Sequence, residues 1–104
     1  MKDVIDLKGA SGARYRFRVW PAGAPHLPIA GNYVVLREEP GGFSVLLVGE
    51  TNDLSRSGSE AQRMEHPGAS HVFTRLNVAR SVRRAEHEDL VANYQAVQVS
   101  QGDS

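Results

Sequence analysis

The sequence contains no cysteine, no excess of either charge and no long hydrophobic run, and each absence removes a class of chemistry. Without cysteine there is no disulfide framework, no thiolate nucleophile and no cysteine metal site. The N-terminal residues lack the apolar core of a signal peptide, and no run approaches membrane-spanning length. A soluble cytoplasmic protein without a membrane partner is therefore expected. Twelve basic and twelve acidic residues cancel, which leaves no global field to draw in nucleic acid. Ten of the twelve bases are arginine. Arginine suits bidentate phosphate contacts better than lysine does, although genome composition produces the same enrichment. The 104 residues accommodate one domain, 1–104, with a core large enough to fold without staples. Residues 1–13, which hold one possible short strand over Val4 to Leu7, and 95–104 are expected to be flexible ends. No internal repeat or low-complexity segment is present.

The most informative stretch is Gly31 to Asp53, GNYVVLREEPGGFSVLLVGETND. Val34 to Leu36 form one apolar run, and Phe43 with Val45 to Val48 form another. Apolar runs without alternation mark strands covered on both faces. Pro40-Gly41-Gly42 supplies the fixed φ and the positive φ that a hairpin reversal needs. Strands near 32–38 and 43–49 are therefore expected to pair with each other.

Elsewhere the pattern is mixed. In residues 14–20, RYRFRVW, Tyr15, Phe17 and Val19 face one way and Arg14, Arg16 and Arg18 the other. This predicts a half-buried strand at a sheet edge, its arginine row being either a solvated face or a phosphate-contacting stripe. The proline-rich residues 21–30 form a loop, in which His26 reads as an ordinary loop histidine. Ser57 to Glu60 fits a capping box that would start a short helix over Gly58 to Glu65, with Ala61 and Met64 as its anchors. His66 and His71 have no third ligand at a recognisable offset. Residues 70–76 read as a strand. Asn77 is a good N-cap for a helix over 78–94, which contains neither glycine nor proline. On a wheel of about 100° per residue, His87, Leu90, Val91 and Tyr94 share one side with Arg83, while Val82, Ala85 and Asp89 lie on another.

Gly31-Asn32-Tyr33 and Leu47-Val48-Gly49, in hairpin order and followed by Glu50-Thr51-Asn52-Asp53-Leu54 and an acidic helix, resemble the two signature strands of the GIY-YIG nuclease superfamily over residues 31–94. The resemblance implies an α/β (α+β) domain: a central mixed or antiparallel sheet with core order strand, strand, short helix, strand, helix. Here an extra N-terminal edge strand is added. Gly31, Leu47 and Gly49 become the structural motif positions. The family chemistry, hydrolysis of a phosphodiester, uses a phenol to move a proton, arginine to neutralise phosphate charge, and a glutamate holding one divalent cation as Lewis acid.

Carried onto this chain, the catalytic candidates are Tyr33, Arg56, and His87 or Glu86. Leu47 stands in place of the second tyrosine and can move no proton. Arg56 falls one residue before the expected arginine, a turn of about 100° on a helix. His87 stands where the glutamate belongs, flanked by Glu86 and Glu88. Mg²⁺ prefers oxygen ligands, whereas histidine suits Mn²⁺ or Zn²⁺. Either Glu86 or His87 is thus the only metal candidate, for Mg²⁺ or Mn²⁺. The structural alternatives are a strand tyrosine with its ring in the core and its hydroxyl at the rim, and a helix histidine bonded to a carboxylate.

Three functions follow. The first is an impaired nuclease domain that binds a nucleic-acid backbone weakly, through Arg56, Arg80, Arg83 and Arg84 and without a stacking platform. The second is an active endonuclease using Tyr33, Arg56 and Glu86. The third is a protein-interaction or homodimerisation module on the same fold.

Overall fold

The computed structural model describes residues 2–20, 25–56, 68–95 and 97–101. Its elements are β1 (Val4–Lys8), β2 (Arg14–Val19), β3 (Gly31–Glu39), β4 (Gly42–Thr51), a 3₁₀ turn (Leu54–Arg56), β5 (His71–Leu76), α1 (Arg80–Tyr94) and β6 (Val97–Gln101). The strands form one sheet in the order β1-β2-β5-β3-β4-β6. All neighbours run antiparallel except β4 and β6, which are parallel. This is an α+β arrangement of a mixed sheet and one long helix. The expected helix over Gly58 to Glu65 lies outside the described residues, as do its anchors and His66.

The two unbroken apolar runs pair as their composition requires. β3 and β4 are antiparallel, with Val34 opposite Val48 and Val35 opposite Leu47. Gly41 turns the chain at φ +82°, a conformation that costs glycine little. A register shift at Val35/Leu36 inserts one extra residue into β4. Because side chains alternate across a strand, the runs fill two cores. Val34, Leu36, Val48 and Phe73 meet Leu7, Phe17 and Leu90 on the face covered by α1. Tyr33, Val35, Leu47 and Val72 meet Leu54 on the far face.

The short strand expected over Val4 to Leu7 is present as β1, and both it and residues 97–101 join the sheet instead of forming loose ends. Val4–Lys8 is the sheet's edge strand and β2 lies inside it, because Leu7 is fully buried in the helix-face core and anchors β1 there. The turn after β1 is also tied down. Ser11 donates to Asp89 of α1 from its backbone nitrogen at 2.8 Å and from its hydroxyl at 2.6 Å. Residues 97–101 add a strand parallel to β4, Leu47 opposite Val97, and so cover backbone groups that β4 would expose as an edge.

The helix starts two residues later than its apolar pattern suggests. Ala79 is the N-cap and makes no side-chain cap bond. Asn77 instead donates to the Asn32 side chain and to Glu86, both at 2.9 Å. The buried residues of α1 are Arg83, His87 and Leu90, the side that the helical wheel assigns to them.

Candidate functional site

The signature residues sit where β3, β4 and β5 run side by side. Arg18 is opposite Thr74, Thr74 opposite Tyr33, and Tyr33 opposite Gly49. These four positions form one row across the far face of the sheet. Tyr33 lies flat over Gly49, where a methyl group would run into its ring. Gly31 is equally committed, because a Cβ there would strike the Arg75 carbonyl oxygen. Both motif glycines thus have steric reasons independent of any reaction. Leu47 is fully buried beside Tyr33.

Tyr33 is 1% exposed. Its hydroxyl is buried with no hydrogen-bond partner among the described residues, not held at the rim. Burial, and secondarily the charge of Glu50, push its pKa from 10.0 up to about 12. A phenol with that pKa gives up its proton poorly near neutrality.

His87, Glu86 and the arginines of α1 stand on the opposite face. His87 and Arg83 are buried under α1. Arg83 donates from Nε to Glu50 at 2.7 Å, and both side chains are almost fully buried. Its Nη1 donates to the carbonyls of Asn77 and Val78, so it is committed to the interior and withdrawn from the surface. Arg84 approaches the other Glu50 oxygen at 3.7 Å and is half-buried. Glu86 accepts from Arg75 at 2.8 Å and from Asn77 at 2.9 Å. Arg80 is exposed on the first turn of α1, and Arg56 ends the 3₁₀ turn after β4.

Tyr33 is therefore separated from Glu86 and His87 by the thickness of the sheet. Among the described residues no three His, Asp or Glu side chains are grouped to hold a metal ion. Two carboxylates at the α1 side of the sheet are already engaged, Glu50 by Arg83 and Glu86 by Arg75. This donor set does not fit a divalent cation.

Sequence reasoning missed Glu50 and Asn32. Both are fully buried, and Asn32 donates to the Arg83 carbonyl at 3.1 Å. The signal was available: a carboxylate directly after an apolar strand run asks for a buried cationic partner. His26 is not an ordinary loop histidine. Its ring meets Trp20 edge-on at 4.4 Å, and its Nε2 lies 3.0 Å from the Thr74 hydroxyl.

Compared with known proteins, the chain matches no family model, no curated protein and no solved structure. Among the described residues no helix is long and apolar enough to cross a membrane.

Proposed function

We propose that the chain is a divergent GIY-YIG-like domain that holds a nucleic-acid backbone weakly and does not cut it. The observation carrying the second half is the split between Tyr33 on one face and Glu86 with His87 on the other. Metal-assisted hydrolysis needs proton transfer and charge neutralisation at one phosphorus atom, and groups on opposite faces do not converge on one. The binding half rests on the exposed Arg80 and on Arg14, Arg16 and Arg18 of β2, likewise exposed, with Arg56 and the half-buried Arg84 kept from the expected set and Arg83 removed. Contacts of this kind are salt-sensitive and indifferent to sequence.

The test is fluorescence anisotropy with labelled single- and double-stranded DNA at two salt concentrations, beside a cleavage assay in Mg²⁺ and then Mn²⁺. Weak binding that fades with salt, and no cleavage above background, are expected. Cleavage by the wild-type protein that Tyr33→Phe abolishes would overturn the reading in favour of an endonuclease. Absence of binding even at low salt would favour an interaction or dimerisation module. Leu76, Val78 and Val82, at 53%, 73% and 47% exposure, recommend that alternative, and sedimentation at rising concentration detects it.

A further inference from the structure

The far face of the sheet carries a cavity that the hydrolytic chemistry does not use. It has a volume of about 490 Å³, within the usual range for small-ligand sites. Its apolar wall includes Trp20, Leu27 and Leu76; its polar groups include Arg18, His26 and Thr74. No carboxylate lines it among the described residues. Leu27 and Leu76 are more than half exposed, so apolar surface stands open beside cationic surface. The Arg18 side chain makes no hydrogen bond or ion pair with any described residue, whereas Arg16, also at the cavity, reaches Asp6 only at 3.4 Å with both side chains exposed. An exposed pair of this kind contributes little and yields readily to a competing anion.

We propose that this cavity receives an unpaired nucleotide of a single-stranded nucleic acid, its base against Trp20 and Leu76 and its phosphate on Arg18. The proposal rests on the backbone-binding reading above and assigns that binding a place and a strand preference. A lining that carries Arg16 and Arg18 and no carboxylate among the described residues selects an anion, and an aromatic and aliphatic wall selects one with a flat apolar body. A base with its phosphate combines the two, and base–aromatic stacking is tolerant of sequence. The strand is preferred over a free nucleotide because Arg14, Arg16 and Arg18 recur on one face of β2 at about 7 Å intervals. That interval is comparable to the separation of successive phosphates along an extended strand. A duplex keeps its bases stacked inside and cannot offer one to the cavity.

Trp20 is the chain's single tryptophan, so its emission reports on this cavity alone. A ten-residue thymidine oligomer, the matching duplex, thymidine monophosphate and poly-glutamate are titrated while Trp20 emission is recorded. Anisotropy of labelled oligomer and duplex is followed in parallel. The oligomer is expected to quench Trp20 at concentrations where the duplex, the monophosphate and poly-glutamate do not. Arg18→Ala is expected to weaken oligomer binding roughly three- to fivefold, as for an exposed charge contact, and to flatten its salt dependence by about one phosphate contact. Arg18 is exposed, so this variant folds, and circular dichroism verifies it. Oligomer binding by anisotropy with Trp20 emission unmoved, or unaffected by Arg18→Ala, overturns the cavity while leaving backbone binding intact. Equal quenching by the monophosphate overturns the strand preference, and stronger quenching by poly-glutamate overturns the nucleotide. Absence of all binding rejects the underlying function as well.

Discussion

Tyr33 buries a hydroxyl that finds no hydrogen-bond partner among the described residues. An unsatisfied buried hydroxyl costs about 1–3 kcal/mol, so Tyr33→Phe should stabilise the fold, by roughly 1 kcal/mol. The same burial makes stability depend on alkaline pH. The folded phenol holds its proton to about pH 12, while the unfolded one releases it near 10.0. Its contribution is therefore complete below pH 10 and is lost as pH rises toward 12, by on the order of 2 kcal/mol. Urea unfolding of both proteins at pH 7 and at steps above pH 9 measures this. A Phe variant less stable than wild type at pH 7, or an unchanged alkaline decline, would show that the hydroxyl is satisfied after all. The sequence made Tyr33 legible as a strand tyrosine with a core-facing ring. It could not reveal the missing partner, because what surrounds a hydroxyl is decided by residues distant along the chain.

At the scale of elements, β3, β4, β5 and α1 were readable because each carries an apolar pattern that matches its burial. The unbroken runs mark strands covered twice, and the side of α1 bearing Arg83, His87 and Leu90 is the side that is buried. Of the two ends, the short strand at Val4 was readable and the C-terminal one was not. Val97–Gln101 has too little pattern to distinguish a strand from a tail, and it becomes a strand only because β4 presents an edge beside it. The cavity was hidden for the same reason: Trp20 follows β2 and Leu76 ends β5, and only the pairing of these two strands brings both to one cavity. What joins α1 to the sheet at its N-terminal half is ionic. Glu50 leaves β4 fully buried and meets Arg83 at 2.7 Å. Removing one partner strands a charge in the interior, which costs about 3–5 kcal/mol. Glu50→Ala should therefore lower unfolding stability by that amount, far more than a surface substitution such as Glu88→Ala. Equal, small losses for the two variants in denaturant titrations would count against a buried pair.

For the whole molecule, a net charge of zero conceals an uneven distribution. Acidic groups under α1 are spent on internal arginines, while the arginines of β2 face outward on the other side. The total charge thus says little about what either face attracts. A second consequence of the overall layout concerns time. The turn at Ala10 and Ser11 is made early in synthesis, yet its amides wait for Asp89, whose backbone oxygen takes Ala10 at 3.0 Å and whose carboxylate takes Ser11 at 2.8 Å. Asn93 reaches back to the Lys8 carbonyl at 2.6 Å, and the Tyr94 hydroxyl accepts from the Lys8 amide at 3.3 Å. The first hairpin can close by itself, but its turn is sealed only when the last helix docks. In hydrogen–deuterium exchange the Ser11 amide becomes a clock for that docking. Asp89→Ala should speed its exchange by about tenfold or more, with Val34 and Val35 in the sheet centre keeping wild-type rates. If all three accelerate together, α1 and the first hairpin belong to a single unit of opening. If only Ser11 does, the early and late parts of the chain are joined by a latch that opens without the sheet.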